Sequence, residues 1–229
     1  INFFGEPGSG STPATYTKSV TGLQSGATFF YDLQQETALN DGWNGSAEVD
    51  AGVNKVAVVV NSFNGSHCLR TYNGFPEENV GTTWGIPLFA SKLSNGLNTS
   101  VSVQNLSGAD IPVGGLTITC PDAPAGYFPK SNTAVIPDKG TFAFNPVGNT
   151  SYPNDWQGAC VINAGSADIV AFVIMRRITG NGDQAAYEAI NYSGTDTTVF
   201  VPLMAKRLAN GFATSAVIQN LSANDAHVD

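Results

Sequence analysis

The sequence predicts an all-β protein that consists of two tandem immunoglobulin-like antiparallel β-sandwiches. Three observations support this prediction: short runs rich in Val, Phe, Thr and Tyr, the 25 Gly and 12 Pro that help to separate them, and an internal repeat of about 114 residues. Apolar residues with the 3.6-residue period of a helix are rare along the chain. A unit of this length with seven or eight short strands is typical of a two-sheet sandwich.

The repeat is clearest in two segments that lie 115 residues apart. Residues 86–110 and residues 201–225 are identical at 13 of 25 positions, and both contain the run Gln-Asn-Leu-Ser. An Asn-Gly pair lies between two strand-like runs in each segment, as Asn95-Gly96 and as Asn210-Gly211. Because this pair accepts positive φ at low steric cost, it predicts a hairpin turn in both copies.

A second set of matches has an offset of 113 residues. It aligns Trp43 with Trp156 and Gly45 with Gly158, and it continues through the pairs Ala51-Gly52 and Ala164-Gly165. Since all the matches keep the same order along the chain, the chain is two copies of one unit. We expect each tryptophan to fill a core beside its glycine. The predicted domains are residues 8–120 and residues 121–229.

The predicted strands occupy equivalent places in the two copies. In the first copy they are Ala27–Asp32, Lys55–Asn61, Thr82–Ala90 and Thr99–Gln104. In the second copy they are Thr141–Phe144, Asp168–Met175, Thr197–Met204 and Thr214–Gln219. Gly, Asn and Pro separate these runs, as expected for short antiparallel strands.

The two ends of the chain complement each other in this alignment. Ile1–Pro7 aligns with Gly114–Cys120, which contains a return strand that the second copy lacks. A sandwich without that strand exposes unpaired backbone groups and an open hydrophobic groove. We therefore predict that an assembly strand completes the second domain of a neighbouring copy by strand addition. The assembly strand comprises Ile1, Asn2, Phe3 and Phe4, and the acceptor strand comprises Thr214, Ser215, Ala216, Val217, Ile218 and Gln219.

Two alternatives to exchange between copies stay open. The polypeptide can continue through Asp229 into another repeat, so that this chain is one period of a longer array, or Ile1–Pro7 can fold back on its own chain. The template for the predicted contact is Leu116–Cys120 lying beside Thr99–Asn105 in the first domain. Because a head-to-tail contact is heterologous, it propagates, and its repetition gives a fibre.

Composition excludes several classes of function. Charged residues make up only 12% of the chain and the net charge is −8, so the ten Lys and Arg do not supply the cationic patch of a nucleic-acid binder. No apolar run approaches about 18 residues, so no membrane span is predicted. Abundant Ser, Thr, Asn and Gly, with Ile rather than Met at position 1, indicate an extracellular or cell-surface protein that is processed or is a fragment.

N-x-S/T sequons are candidate glycosylation sites and fit an extracellular protein, although the same residue types also form turns. The candidate sites are Asn44, Asn64, Asn98, Asn105, Asn149, Asn191 and Asn220.

The repeat motifs also carry a resemblance. The order of motifs resembles tandem β-sandwich repeats of bacterial or archaeal surface proteins. The motifs are Trp-x-Gly followed by Ser or Ala, a Val-rich strand, Ile/Val-Pro-Leu, Asn-Gly, Thr-Ser and Gln-Asn-Leu-Ser. The predicted head-to-tail contact is similar to the contacts between subunits in donor-strand pili and thread-like filaments. The resemblance covers nearly the whole chain and implies a surface or fibre role. It carries no catalytic residues across.

The three cysteines allow three pairings. Cys120 ends the predicted return strand of the first copy and Cys160 lies four residues after Trp156, so both fall near the junction of the copies. We therefore prefer a Cys120–Cys160 disulfide, which leaves Cys68 free or bonded to another molecule.

No catalytic residue, cofactor or metal site is predicted. Neither G-x-S-x-G nor H-E-x-x-H nor a phosphate-binding glycine loop occurs in the sequence. The predicted function is therefore a non-enzymatic structural subunit of an extracellular fibre or surface array, with other copies of itself as its partners. The alternative is a secreted carbohydrate-binding or adhesive module that binds surface glycans through loop aromatics, namely Tyr72, Phe75, Tyr152 and Trp84.

Overall fold

The computed structural model describes residues 1–64, 68–178, 184–207, 209, 211 and 213–226, and in these residues it is all-β apart from two short 3₁₀ turns. The strands are β1 (Asn2–Gly5), β2 (Thr15–Thr17), β3 (Gly45–Glu48), β4 (Val59–Asn64), β5 (Cys68–Asn73), β6 (Thr83–Ser91), β7 (Leu97–Asn105), β8 (Thr117–Thr119), β9 (Lys130–Ser131), β10 (Thr141–Phe144), β11 (Trp156–Asn163), β12 (Ile169–Arg177), β13 (Gln184–Glu188) and β14 (Ile190–Asn191). The 3₁₀ turns are Leu33–Gln35 and Tyr192–Gly194. No helix among the described residues is long and apolar enough to cross a lipid bilayer.

One complete sandwich occupies the middle of the chain, residues 81–191, and we call it the central sandwich. One sheet has the strand order β10-β7-β12-β13 and the other has the order β14-β6-β11-β8-β9, and all their strands pair antiparallel. The core contains buried side chains from both sheets. Its largest members are Trp84, Phe89, Phe144, Ile86, Leu116, Ile118, Ile136, Ile162 and Ile169.

The strands β6 and β7 join the two layers of the central sandwich. From Val101 to Asn105 the side chains of β7 alternate between buried and half-buried, which places Val101 and Val103 in the core. Gly96, with φ of +82°, turns the chain between them. The Asn-Gly turn was predicted to close a hairpin, but β6 and β7 lie in different sheets, so the turn crosses from one layer to the other.

The predicted domain boundary between residues 120 and 121 falls inside the central sandwich. The strands β8 and β11, on either side of that boundary, are hydrogen-bonded neighbours. The physical reason is that a repeat determines the length of the unit but not where the unit begins. Any cyclic shift of the same unit has the same period, so the pattern of matches alone does not locate a domain end.

Outside the central sandwich the chain forms smaller elements. Residues 1–78, which we call the N-terminal segment, contain the three-stranded sheet β2-β1-β3 and the hairpin β4-β5. Residues 197–226, which we call the C-terminal segment, contain no strand among their described residues. Three predicted strands are therefore not strands in this structure: Ala27–Asp32, Thr197–Met204 and Thr214–Gln219.

A disulfide joins Cys120 to Cys160, as predicted, with an S–S distance of 2.01 Å. The two residues lie at the end of β8 and within β11, which are neighbours in one sheet. The bond therefore cross-links adjacent strands of the central sandwich, whereas the prediction placed it across a junction between two domains. The side chain of Cys68 lies outside the described part of the chain.

Replacing both bonded cysteines, as Cys120→Ser with Cys160→Ser, should lower the free energy of unfolding of the central sandwich by about 2–4 kcal/mol, because the bond closes a long loop. Chemical denaturation of the two forms measures the difference. The variant Cys68→Ser is the control and should keep the disulfide in a non-reducing peptide map. A map of the native protein in which Cys68 is bonded to Cys120 or Cys160 would contradict the assignment.

Candidate assembly surfaces

The N-terminal segment reproduces part of the central sandwich. In it β1 lies between β2 and β3, just as β8 lies between β9 and β11. Its hairpin β4-β5 corresponds to the pair β12-β13. The N-terminal segment therefore contains counterparts of β8, β9, β11, β12 and β13.

Local hydrogen bonds in the N-terminal segment match those of the central sandwich at an offset of 113 residues. The amide of Gly52 donates to Asp50 Oδ1 at 2.8 Å. Its counterpart, the amide of Gly165, donates to Asn163 Oδ1 at 2.9 Å. Because such turns depend on short-range contacts, each copy of the sequence forms them whether or not its sheets are complete.

The two repeated tryptophans show the same local packing. A Cβ atom built on Gly45 would lie 2.7 Å from the Trp43 ring, and one built on Gly158 would lie 2.6 Å from the Trp156 ring. Only glycine fits beneath each ring, which explains the Trp-x-Gly motif. Both tryptophans lie beside their glycines as predicted, but they are half-buried, and the tryptophan that fills the core is Trp84.

The C-terminal segment repeats two local features of the β6–β7 region at an offset of 115 residues. The amide of Ala90 donates to Thr99 Oγ1 at 2.9 Å, and the amide of Ala205 donates to Thr214 Oγ1 at 2.8 Å. The φ of Gly211 is +83°, against +82° at Gly96. Asn210, the other residue of this predicted turn, lies outside the described residues.

The Gln-Asn-Leu-Ser motif forms the same turn in both copies. The Asn105 amide donates to Ala109 O at 2.7 Å, and the Asn220 amide donates to Asn224 O at 2.7 Å. In each copy the motif serine donates to the same asparagine Oδ1, also at 2.7 Å. The motif is therefore a structural turn, and its conformation does not require the rest of a sandwich.

The C-terminal segment differs from its counterpart in burial. Ile86, Phe89 and Val103 are 0% exposed in the central sandwich. Their counterparts are exposed by 57% at Val201, 59% at Met204 and 69% at Ile218. The same apolar positions that form a core in the central sandwich therefore lie at the surface here.

The N-terminal segment exposes apolar side chains in the complementary places. Val56 is 48% exposed, whereas its counterpart Ile169 is completely buried. Phe29 and Phe30 are also exposed, and they lie in residues 28–31, the counterpart of the edge strand β10. In the central sandwich β10 and β12 flank β7, so these exposed residues mark the place where a β7-like strand is missing.

The two terminal segments therefore contain the counterparts of different, complementary strands of the central sandwich. The central sandwich needs β6 beside β11, and β7 between β10 and β12. The N-terminal segment has the counterparts of β10, β11 and β12 but none of β6 and β7, and the C-terminal segment has the missing two. Sequence reasoning assigned only residues 214–219 to the joint, although it also predicted a strand at Thr197–Met204 and the repeat at an offset of 115 residues contains residues 201–206.

The predicted assembly strand is paired within this chain. Its residues Asn2, Phe3 and Phe4 lie in β1, whose two edges bond to β2 and β3, and the amino group of Ile1 donates to Lys18 O at 2.8 Å. This is the arrangement in which Ile1–Pro7 folds back on its own chain. The template for the predicted contact was wrong, because β8 lies beside β9 and β11, in the sheet opposite to β7.

The aromatic surroundings of Phe3 explain this placement. Its ring, 5% exposed, lies 5.8 Å from the ring of Tyr16, 5.8 Å from that of Tyr31 and 5.9 Å from that of Trp43. These contacts bury a large apolar area within the N-terminal segment. They therefore hold β1 in its own sheet.

The predicted acceptor strand contacts the central sandwich near its end. Gln219 Nε2 donates to Cys160 O at 3.0 Å, while Gln219 Oε1 is buried without a hydrogen-bond partner. The neighbouring Leu221 side chain lies close to Gly85. A buried amide oxygen without a donor costs free energy, so Gln219 is incompletely satisfied in this position.

Several sequons have structural roles. Asn98, Asn105 and Asn191 are buried, and each side-chain amide donates to a backbone carbonyl. A glycan has no room on these nitrogens, so these three assignments are corrected. Asn44, Asn149 and Asn220 are exposed, and the side chain of Asn64 lies outside the described residues.

The aromatics proposed for glycan binding are mostly occupied. Trp84 is completely buried and Tyr152 is 4% exposed, so neither presents a face to solvent. Tyr72 is half-buried, with its ring 4.0 Å from that of Phe172, and Phe75 packs edge-on against Trp84. These four side chains therefore do not form a stacking platform for a sugar.

A carboxylate organises the polar side of the N-terminal segment. Glu36, with a side chain 8% exposed, accepts from Tyr31 Oη at 2.8 Å, from the Ala38 amide at 3.1 Å and from Lys18 Nζ at 3.1 Å. The Tyr31 hydroxyl is the largest cause that lowers the pKa of Glu36, followed by the Ala38 amide and Lys18, from 4.5 to about 2. This cluster fixes Tyr31 against Phe3.

Comparisons with known proteins give no functional information. No protein-family model and no curated protein matches the chain. One solved structure, Thermotoga maritima 1070, matches with 11% identity and a TM-score of 0.37, over 49% of this chain and 96% of that one.

The stability of the N-terminal segment should depend on pH through Glu36. Because its pKa is lower in the folded chain than in the unfolded chain, the carboxylate contributes its full stability above about pH 4.5 and loses it as the pH falls to about 2. Carbon-13 NMR of the labelled carboxyl gives the pKa directly. The variant Glu36→Gln should remove this part of the pH dependence, and a measured pKa near 4.5 would contradict the proposed hydrogen bonds.

The two copies of the motif asparagine should differ in their effect on stability. Asn105 is buried and donates to Ile136 O at 3.0 Å and Pro137 O at 3.1 Å, so Asn105→Ala should cost about 1–3 kcal/mol. In dilute monomeric protein the exposed Asn220→Ala should cost less than about 0.5 kcal/mol. Urea unfolding of the two variants measures both values. Equal losses would mean that the C-terminal turn is already packed as in the central sandwich.

Proposed function

We propose that this protein is a structural subunit of an extracellular fibre or surface array, and that its copies assemble head to tail. The observation that carries the proposal is the complementarity of the two terminal segments. Each contains the counterparts of strands that the other lacks, and each exposes apolar positions that are buried in the central sandwich. Apolar surface of this kind marks an interaction site.

The contacts of the terminal segments favour assembly between copies over closure within one chain. The N-terminal segment meets the central sandwich on the side of β12 and β10, through the Tyr72–Phe172 ring contact and through Glu48 and Lys139, 3.1 Å apart. The C-terminal segment contacts β6 and β11 in the opposite sheet, at Gly85 and Cys160. A joint formed between copies is heterologous and therefore propagates.

The extracellular location is part of the proposal and is supported by two properties. A disulfide persists in an oxidising compartment such as the cell exterior, and the Cys120–Cys160 bond is of this kind. A chain with only 12% charged residues and many small polar residues suits a protein that packs against its own copies. The partner we propose is therefore a second copy of this chain.

Light scattering with size-exclusion chromatography and electron microscopy tests the proposal. Concentrated protein should form end-to-end oligomers or threads, and the double variant Val201→Asp with Ile218→Asp should raise the concentration needed for assembly about a hundredfold or more. Burial of each side chain contributes about 1.5–3 kcal/mol, and about 1.4 kcal/mol is a factor of ten in affinity.

The matched control is Val113→Asp, which changes an equally exposed valine (61%) in a loop of the central sandwich. This variant should assemble like the native protein. A native protein that stays at its monomer mass of 23.9 kDa at every concentration would rule out the proposed function.

A further inference from the structure

We propose that two strands, and not one, pass between copies: residues 198–206 and 213–220 of one copy insert into the N-terminal segment of the next copy and complete a second sandwich. This inference rests on the proposed function and specifies the partner and register of the joint. The template is the central sandwich, because the two terminal segments together contain sequence counterparts of all its strands from β6 to β13. The donor is therefore the C-terminal segment, and Ile1–Pro7 belongs to the receiving side.

The first inserted strand takes the place of β6. In the central sandwich β6 pairs antiparallel with β11, with Ile86 opposite Cys160 and Thr83 opposite Asn163. Shifted by the two repeat offsets, these pairs become Val201 opposite Ala47 and Thr198 opposite Asp50. Residues 198–206 thus add to the free edge of β3, whose other edge is bonded to β1.

The second inserted strand takes the place of β7. In the central sandwich β7 lies between β12 and β10, with Ser100 opposite Ile174 and Val103 opposite Phe142. The equivalent pairs are Ser215 opposite Asn61 in β4, and Ile218 opposite Phe29. This strand therefore covers both Val56 and Phe29, which are exposed in the single chain.

The turns on both sides of the joint are already formed. The Ala27 amide donates to Gln24 O at 3.0 Å, as the Gly140 amide donates to Pro137 O at 2.9 Å. In the central sandwich this turn receives the Asn105 amide, through Ile136 O and Pro137 O. The Asn220 turn is preformed in the same way, so docking joins two ordered surfaces and orders few new residues.

Gln219 gives an independent reason to expect a different final position for the donor. In the single chain its Oε1 is buried without a partner while Nε2 donates to Cys160 O. Its counterpart Gln104 donates through Nε2 to Lys139 O at 3.0 Å. The equivalent acceptor for Gln219 is the carbonyl of Gly26, in the same preformed turn. Insertion therefore exchanges an incompletely satisfied amide for the contact that the central sandwich contains.

The completed joint also repeats the aromatic packing of the central sandwich. There the Phe89 ring of β6 lies 6.4 Å from the Trp156 ring. The equivalent pair is Met204 and Trp43. A methionine sulfur makes favourable contacts with an aromatic ring, and Met204 lies 59% exposed in the single chain. The donor therefore places a matching side chain against the cluster around Phe3.

Two disulfide-trapping pairs test the register, one in each layer, in a Cys68→Ser background. Residues directly opposite each other on antiparallel strands have Cα atoms about 4.5–5.5 Å apart, within reach of a disulfide. Protein with Asn61→Cys is mixed with protein carrying Ser215→Cys, and protein with Asp50→Cys is mixed with protein carrying Thr198→Cys. Under mild oxidation we expect both mixtures to give a linked pair of twice the 23.9 kDa chain mass.

The control pairs Asn61→Cys with Thr198→Cys. These positions should lie in opposite layers of the sandwich, about 10 Å or more apart, and should not link. Trapping of the Asn61 and Ser215 pair without the Asp50 and Thr198 pair would show single-strand addition and overturn the inference. Assembly into threads with neither pair trapped would also overturn it, while the proposed function would stand.

A chain that carries both Asn61→Cys and Ser215→Cys separates exchange from closure. Exchange gives a ladder of linked oligomers whose length grows with concentration. An internal disulfide in a monomer at every concentration would show that the sandwich closes within one chain. That result would overturn both the inference and the proposed head-to-tail assembly.

Discussion

A strand in a two-sheet sandwich depends on two kinds of partner: neighbours that bond its backbone edges, and the opposite sheet, which covers its apolar face. In this protein β6 and β7 satisfy that requirement for both layers at once, because they are consecutive in sequence but lie in different sheets. Where they are present, in the central sandwich, the surrounding side chains are buried. Where their counterparts are absent, in the N-terminal segment, Val56 is 48% exposed although its counterpart Ile169 is completely buried and the local turns are the same.

Much of the fold follows from the sequence. The parts that could not be predicted share a common physical origin. Four strands were predicted nearly as they occur, because burial of one face of a strand leaves an alternation of apolar and polar residues in the sequence. They are Thr82–Ala90, Thr99–Gln104, Thr141–Phe144 and Asp168–Met175. The Cys120–Cys160 pairing could also be predicted, since both residues interrupt the repeat. The domain boundary could not be predicted, because a repeat in the sequence does not show at which residue each unit begins. The strand-like runs at 197–204 and 214–219 have the right composition, but a strand needs a neighbouring strand, which a short stretch of sequence does not contain.

The motif asparagines show that one sequence pattern fits two different roles, a glycosylation site and a structural turn. Asn105 satisfies every criterion of a glycosylation sequon, yet its amide bonds three backbone carbonyls in the core of a turn. The same side chain at Asn220 is exposed, and in the proposed joint the surface that covers it belongs to the neighbouring copy. Sequence alone does not separate these cases, since the two partners that only Asn105 has, Ile136 O and Pro137 O, lie 31 and 32 residues away along the chain.

The disulfide has a mechanical consequence for the proposed fibre. It connects the end of β8 to β11 in the central sandwich, and the positions that face each other in the same way in the N-terminal segment are Phe3 and Ala47, so the proposed joint has no covalent bond there. A thread of such subunits alternates stiff, cross-linked links with joints that only side-chain packing and backbone hydrogen bonds hold. Under tension the joints would part first, and because both halves keep their preformed turns, a parted joint could close again. Such a thread would break and heal without unfolding its subunits.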